Sequence, residues 1–322
     1  MLQKFNLKSL AVFGLMVAAG SSSAGLTFSP TNKNQTVAQS RPQVVATSTV
    51  ICGLAKEIAG NTIDLKCLVD AGSDPHVYQP KPDDRKAIEQ AKLIFYSGYD
   101  FEPSLIRLIK ASSNKSAKIA VGEAAVPKAL EIEEDGKKVS DPHVWHDAKN
   151  GMGMAKVINT QISKILPNQA SVYNTKTQQI TSNLTKLDTW IKSEVATIPA
   201  KQRKLVTTHD ALGYYSKAYG IPVVGALEGL STDEAPTPTR VAQLVREIKA
   251  SGVPTIFAET TINPKLIEAV AKEANVKVSP RELFADGLGE PGTDGDTYQK
   301  MMIANTRTIV EGLGGKYTPF KP

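Results

Sequence analysis

The segment QASVYNTKTQQITSNLTKLDTWIKSEVATI, residues 169–198, decides how the rest of the chain is organised. It contains neither proline nor glycine, and both residues are disfavoured inside helices, so it predicts one long α-helix. Pro167 and Pro199 flank the segment, and Asn168 is the expected N-cap. We therefore predict a linking helix over 168–198.

Short runs of β-branched and apolar residues alternate with amphipathic segments on both sides of this helix. Strands are predicted at VVATSTVI, TIDLKCLVD, KLIFYSG and KIAVGE before it and at RKLVTTH, IPVVGAL, PTIFAE and KVSPRELF after it. Such alternation is typical of parallel sheets with helices on both faces. The predicted fold class is α/β, with two lobes, each a mainly parallel sheet flanked by helices, at 44–167 and 199–322.

The first 43 residues differ from the rest of the chain. Residues 1–24 carry two lysines, a short apolar run and a small-residue end, which is the layout of a cleavable secretory signal peptide. The apolar run is shorter than the about 20 residues that a membrane-spanning helix needs, and no cysteine follows it to carry a lipid anchor. Residues 25–43 are polar and lack periodicity, which predicts a disordered lead-in. We expect an exported, soluble, periplasmic protein.

The charge balance argues against nucleic acid as a partner. The formal net charge is +6, and removing residues 1–24, which hold two lysines and no acid, lowers it to +4. No block of basic residues occurs, and aromatic residues make up only 6% of the chain. Neither an electrostatic footprint nor a stacking platform for nucleic acid is therefore visible.

All four histidines fall in predicted loops or at strand ends. His76 lies in GSDPHVYQPKPDD, His143 and His146 lie in DPHVWHD, and His209 ends the strand RKLVTTH. Ligands of open α/β sheets bind beyond the carboxyl ends of the strands, so two facing lobes would bring these loops to one cleft. Asp286, in ELFADGLGE, offers a carboxylate from the second lobe. Three imidazoles and one carboxylate would form a closed, four-ligand site for a borderline metal ion.

Some of these residues also have ordinary structural interpretations. Asp286 could cap a helix or shape a turn, and Glu259 could be a ligand, a cap or an acceptor for a ligand's second nitrogen. Cys52 and Cys67 fall at the same edge of a predicted βαβ unit, and exported chains often pair such cysteines. Two unpaired cysteines would instead serve as small apolar side chains. The residues alone leave these alternatives open.

The motifs, in their order along the chain, resemble those of a known family. GSDPHVYQPKPDD, KLIFYSGYDFE, DPHVWHD, VTTHDALGYYSKAYGI, GLSTDEAPTPT, VPTIFAE and LFADGLG are similar to the motifs of cluster A-I solute-binding proteins of zinc and manganese ABC transporters. The resemblance implies two α/β lobes joined by a rigid helix, a metal site between the lobes and a membrane permease as partner. By matching motifs, it implies the metal ligands His76, His143, His209 and Asp286.

The implied ligand set favours zinc over manganese. Members that handle manganese typically have Glu where this chain has His209, and an imidazole-rich site holds Zn²⁺ more tightly than Mn²⁺. Zinc members often carry a His-rich acidic insert before the second His motif, and the corresponding EIEEDGKKVS lacks histidine. Manganese therefore stays as the alternative. His146 matches no ligand position and is expected at the rim of the cleft.

A closed metal site indicates a carrier. A catalytic zinc keeps an open position for water, and the chain has neither an H-E-x-x-H helix nor a nucleophile elbow. We expect a monomeric, high-affinity Zn²⁺-binding protein that delivers the ion to a permease, with an exported metallohydrolase and an adhesin-like surface protein as alternatives. Because imidazole must be neutral to bind metal, affinity should fall as the pH drops through roughly 6.

Overall fold

The computed structural model describes residues 41–134 and 136–322. The predicted signal peptide and the lead-in up to residue 40 lie outside the described residues. No helix in the described ranges combines the length and the apolar character needed to cross a membrane.

The first lobe is built on a four-stranded parallel sheet, as predicted. Its strands are β1 Gln43–Ala46, β2 Asp64–Cys67, β3 Leu93–Tyr96 and β4 Ala117–Ala120, in the order β2-β1-β3-β4. Its helices are α1 Thr49–Ala59, α2 Pro82–Gln90, α3 Pro103–Ala111 and α4 Val121–Ala125. Val45 and Ile94 share a core with α2 and α3, whereas Val44 and Phe95 share the opposite core with α1. Helices therefore cover both faces of the sheet.

The first strand is shorter than the sequence predicts. β1 ends at Ala46 and α1 begins at Thr49, so the second half of VVATSTVI is helical. Val50 and Ile51 are fully buried in that helix. The preference of β-branched residues for strands is weak, and packing against the core overrides it here.

A β-hairpin that the sequence analysis did not predict follows the first lobe's sheet. It pairs β5 Glu131–Glu134 with β6 Lys137–Ser140 in antiparallel fashion, and Gly136, at a φ of +73°, supplies the left-handed turn residue. The hairpin is the segment EIEEDGKKVS. Because β6 runs directly into the second Asp-Pro-His, the hairpin sets where that loop begins.

The predicted linking helix is present. α5 Ala148–Ile165 leads through a 3₁₀ turn, Pro167–Gln169, into α6 Ala170–Ala196. The prediction that Asn168 caps this helix is wrong, because Asn168 lies within the turn and Gln169 occupies the N-cap position without a side-chain hydrogen bond. Pro167 favours this tight turn, which delays the start of the α-helix.

The second lobe is also mainly parallel, but its strands are shorter. They are β7 Leu205–Thr207 paired with β8 Val223–Ala226, and β9 Thr255–Ile256 paired with β10 Lys277–Val278. The helices are α7 Gly213–Tyr219, α8 Pro238–Ser251, α9 Lys265–Ala274 and α10 Tyr298–Gly312. The predicted strand KVSPRELF breaks after Val278, and only Leu283 pairs again, by a single bridge to Glu259. Pro280, which has no N–H to donate, explains the break.

One hydrophobic core runs through α6 and joins the two lobes. It contains Phe95 from the first sheet, Leu187 from α6, and Tyr215 and Met301 from α7 and α10, all buried. α6 packs against α1 and α5 of the first lobe and against α7 and α10 of the second. The two lobes therefore share a continuous core around α6. Any opening between them is expected on the side away from α6.

The two cysteines are paired in the structure. Cys52 in α1 and Cys67 at the end of β2 form a disulfide with Cα atoms 5.8 Å apart. The bridge fastens the edge strand β2 to α1 immediately before the loop that leads to His76.

Candidate metal centre

Four side chains from loops of both lobes converge at the cleft. His76 follows β2, His143 follows β6, His209 follows β7, and Asp286 lies in the loop between β10 and α10. One potential ligand atom of each lies within 4.8 Å of the others, and all four side chains are buried. The parallel strands β2 and β7 deliver two of the histidines at their carboxyl ends, as the α/β pattern predicts.

The facing atoms are three imidazole nitrogens and one carboxylate oxygen. His143 Nε2 lies 3.3 Å from His76 Nε2 and 3.4 Å from His209 Nε2. Asp286 Oδ1 lies 3.6, 3.3 and 3.2 Å from the Nε2 atoms of His76, His143 and His209. A tetrahedral zinc ion with bonds of about 2.0–2.1 Å would separate its ligand atoms by about 3.3–3.4 Å. Five of the six pairwise distances are close to that spacing, and the sixth pair, the ligand nitrogens of His76 and His209, lies within 4.8 Å.

Two of the imidazoles contact a carboxylate through Nδ1, the ring nitrogen that faces away from the cluster. Asp141 Oδ1 accepts from both the backbone N–H and the Nδ1 of His143, each at 2.9 Å. Glu259 Oε2 contacts His209 Nδ1, and its Oε1 accepts from the backbone N–H groups of Thr208 and His209 at 3.0 and 3.1 Å. A carboxylate on the far nitrogen fixes the tautomer and makes the imidazole a more basic ligand. Of the three roles considered for Glu259, the structure supports the acceptor.

Asp286 is held by close packing of its loop. A Cβ at Gly287 would come within 2.5 Å of Thr49 Oγ1, which accepts from the Leu288 backbone N–H at 2.8 Å. Only glycine permits this approach of the loop to α1. Asp286 Oδ2 accepts from Thr261 Oγ1 at 3.3 Å, whereas the buried Oδ1 accepts no hydrogen bond from the described residues. An unsatisfied buried carboxylate oxygen facing three imidazoles suits a cation.

The electrostatics of the cluster follow from opposite charges in a dry environment. Burial alone would lower the pKa of His209, but the carboxylates of Asp286 and Glu259 outweigh it and hold that pKa well above its usual value. The pKa of His143 is also raised, since Asp141 and Asp286 overcome burial. Burial would raise the pKa of Asp286, yet the imidazoles, His209 foremost, hold it well below its usual range. The site thus keeps a carboxylate ionised at neutral pH.

His146 is not at the rim of the cleft, and that prediction is wrong. Its side chain is fully buried, and its Nε2 lies 2.8 Å from the backbone carbonyl of Ala285. Trp145 Nε1 donates to the same carbonyl at 3.2 Å. Burial, followed by the charge on His143, lowers the pKa of His146 to about 3, so the ring is neutral at physiological pH. His146 anchors the Asp286 loop and does not join the four-residue cluster.

A groove of about 450 Å³ leads from the surface to the cluster. We call it the mouth groove. Its walls come from both lobes and include His76, Tyr99, Pro142, Leu230 and Ser231. Of the four clustered residues only His76 lines the groove. His76 therefore stands between the other three and the solvent.

The supporting carboxylate Asp141 is not among the functional residues predicted from the sequence. A signal was present, because each Asp-Pro-His places an acid two residues before its histidine, which is the spacing at which an aspartate accepts the backbone N–H. Spacing alone does not tell whether the carboxylate also contacts the imidazole of the same histidine or another partner.

Comparisons with known proteins agree with this architecture. Residues 44–312 match the family described as zinc-uptake complex component A, periplasmic. The chain is 36% identical over 279 residues to the manganese ABC transporter substrate-binding lipoprotein PsaA of Streptococcus mitis, covering 84% of this chain and 89% of the relative. It is 33% identical over 288 residues to the metal ABC transporter substrate-binding lipoprotein SsaB of Streptococcus sanguinis, covering 87% and 92%.

A solved structure is similar throughout the fold. The periplasmic zinc-binding protein TroA of Treponema pallidum superposes with a TM-score of 0.80 at 33% identity, covering 85% of this chain and 99% of that protein. The two streptococcal relatives are named as substrate-binding proteins of ABC transporters and TroA as a zinc-binding protein, and both descriptions agree with a buried cluster of potential metal ligands. The chain therefore belongs to the zinc-uptake complex component A family and is a divalent-metal-binding, substrate-binding component of an ABC transporter, not an enzyme.

Proposed function

We propose that this protein captures Zn²⁺ with high affinity between its lobes and delivers it to the permease of an ABC transporter for import. The proposed ligands are Nε2 of His76, His143 and His209 and Oδ1 of Asp286. The observation that carries the proposal is the set of five distances of 3.2–3.6 Å among these atoms. Three nitrogens and one oxygen, with five of their six separations close to tetrahedral spacing, suit zinc, a borderline ion.

Manganese is the second candidate cargo, and a specific observation favours it. The relative from Streptococcus mitis is named as a manganese transport protein, although the similar structure from Treponema pallidum is named as a zinc-binding protein. Mn²⁺ prefers oxygen donors and lies at the weak end of the divalent affinity series. Zinc binding would therefore be the stronger of the two at a site with three imidazoles.

Metal content and competition would test the choice of cargo. Protein purified without chelators should hold about one zinc per chain, and competitive titration should give Zn²⁺ at least a roughly tenfold tighter Kd than Mn²⁺. Equal or tighter binding of Mn²⁺ would overturn the zinc assignment while leaving the metal-carrier role intact. A protein that binds neither ion would overturn the ligand set.

We further propose a periplasmic location, a monomeric state and export through a signal peptide cleaved after residue 24. The proposed division of the mature chain is a lead-in at 25–43, lobes at 44–167 and 199–322, and a linking helix at 168–198. Mass spectrometry of protein from cell fractions should find a mature chain that begins at residue 25. Light scattering should give the mass of a single chain, and a stable dimer would contradict the monomer.

A further inference from the structure

The two Asp-Pro-His segments share one local hydrogen bond, but their aspartates have different further partners. In each, the aspartate Oδ1 accepts the backbone N–H of the histidine at 2.9 Å. Asp141 then uses that same oxygen for the Nδ1 of His143, so both of these side-chain hydrogen bonds stay within its own loop. Asp74 has its second oxygen free for another partner, and that partner lies in the opposite lobe.

Asp74 bridges the cleft at the mouth groove. Its Oδ2 accepts a hydrogen bond of 2.5 Å from Thr232 Oγ1, which lies in the loop between β8 and α8 of the second lobe. Ser231, the residue before Thr232, lines the mouth groove together with His76. A hydrogen bond between a carboxylate and a hydroxyl is among the stronger kinds, because the acceptor is charged.

Asp74 and His76 must move together. The Asp74 side chain holds the His76 backbone N–H, and Pro75 between them has a fixed φ. A displacement of Asp74 relative to the second lobe therefore displaces the His76 imidazole relative to the three other clustered side chains. Because His76 alone of the four lines the groove, this displacement opens the path to solvent.

We propose that Asp74 is a positioning residue for His76 and that the Asp74–Thr232 contact is a latch that controls metal release. The proposal rests on the proposed role of His76 as a ligand. With the latch formed, His76 closes the site; with the latch broken, the His76 loop swings out on the side away from the continuous core around α6. The latch therefore controls mainly the dissociation rate of the ion. It has less influence on the bonds between the ion and the other three ligands.

Thr232→Val tests the latch, because valine keeps the shape and removes only the hydroxyl. Stopped-flow release of Zn²⁺ into excess chelator should be roughly fivefold to tenfold faster than for the wild type, with the association rate within about twofold. Asp74→Ala should release faster still, since it also removes the cap on the His76 N–H. Asp74→Asn, whose amide can accept from His76 and donate to Thr232, should restore a release rate close to that of the wild type.

Ser231→Ala is the matched control, because Ser231 lines the same groove and its hydroxyl faces the backbone N–H of Asp233 at 3.4 Å, within its own loop. It should release Zn²⁺ at the wild-type rate. Equal release rates for Thr232→Val and Ser231→Ala, or an Asp74→Asn variant as fast as Asp74→Ala, would overturn the latch.

A metal-free measurement separates the latch from the proposed cargo. Amide hydrogen exchange of the apo protein should be faster in Thr232→Val than in the wild type at residues 70–78, while α6 is unchanged. If the wild type binds no zinc but the exchange difference is present, the proposed function and the role in zinc release fail, while the hold of the Asp74–Thr232 contact on the His76 loop stands. If zinc binds stoichiometrically and exchange at 70–78 is the same in both proteins, the latch fails and the proposed function stands.

Discussion

The two Asp-Pro-His loops show how one tripeptide serves two purposes in the same site. The second loop is buried, and Asp141 directs the imidazole of His143 from within the loop. The first loop lies at the mouth groove, and Asp74 reaches Thr232 in the other lobe. Both aspartates accept the backbone N–H of the histidine two residues later, so the difference in their roles arises from what lies opposite each side chain. The second loop therefore determines how firmly the ion is held, and the first determines when it leaves.

The largest expected effect tests whether the second loop supplies one ligand or two. His143→Ala removes the imidazole that lies between His76 and His209, and Zn²⁺ affinity should fall by more than the roughly 100-fold that marks the upper end for losing an outer partner. The matched control is His146→Ala, whose ring contacts the Ala285 carbonyl and not the cluster. Its affinity should fall by less than about tenfold, while the loss of a buried ring lowers stability by about 2–4 kcal/mol.

Isothermal titration and thermal melting of both variants would check this prediction. Equal losses of affinity would mean that His146 is a ligand. In that case the second loop would supply two ligands and the proposed set would be wrong.

pH should have the next largest effect, and the structure moves the expected window upward. In the metal-free cluster the pKa of His209 is well above its usual value and that of His143 is raised, because nearby carboxylates outweigh burial. Protons therefore compete with metal even above pH 6.5, roughly the ordinary pKa of a free imidazole, and not only near pH 6. Zn²⁺ affinity should drop roughly 100-fold or more between pH 8 and pH 5.5, with protons released on binding.

The stability of the metal-free protein should follow the opposite trend. A raised histidine pKa stabilises the fold below about pH 6.5, and this contribution is lost as the pH rises through the folded-state pKa of His209. The lowered pKa of Asp286 stabilises the fold above about pH 4, and this contribution is lost as the pH falls through its folded-state pKa. Calorimetry across pH 4–9 should show the apo Tm falling above about pH 6.5. An affinity unchanged between pH 8 and 5.5 would contradict an imidazole-rich site.

Much of the fold and of the cluster could be predicted from the sequence because local rules decide them. A segment free of proline and glycine forms α6, and strand and helix alternation places histidines at the carboxyl ends of β2 and β7. The start of α6 was not predicted correctly because Pro167 and Asn168 join a 3₁₀ turn, and a capping preference does not distinguish that turn from the helix.

The burial of His146 and the role of Asp74 could not be predicted, because both depend on residues that are distant in sequence. The burial of His146 results from the Ala285 carbonyl, which lies 139 residues away in sequence. The partner of Asp74 is 158 residues away, and nothing near Asp74 in sequence distinguishes it from Asp141. Local patterns indicate which side chains carry chemistry, whereas the division of roles between the two loops requires the tertiary structure.

Asp141→Asn and Asp74→Asn compare the two aspartates directly. Asparagine retains an acceptor for the backbone N–H in both loops, but it removes the charge that makes His143 a stronger ligand. Asp141→Asn should lower Zn²⁺ affinity by roughly tenfold, the lower end for a lost outer partner. Asp74→Asn should change the Kd by less than about threefold, because Asp74 does not touch an imidazole nitrogen of His76. Equal changes in Kd would remove the distinction between the loops.

The last comparison concerns selectivity, for which the expected change is no larger than that for Asp141→Asn, and it uses His209, which belongs to neither loop, as a reference. His209→Glu would exchange a nitrogen donor for a hard, potentially bidentate carboxylate, so the Zn²⁺ to Mn²⁺ affinity ratio should shrink by roughly tenfold. The new carboxylate would also face Glu259, which now contacts His209 Nδ1 and would lose its positive partner. Two neighbouring carboxylates repel each other when both are ionised. His209→Glu alone should therefore bind both metals less tightly than the double variant His209→Glu with Glu259→Gln. Paired titrations with both ions would measure this. A ratio unchanged in both variants would mean that residue 209 does not set the choice of metal, and the preference for zinc would lose the support that His209 gives it.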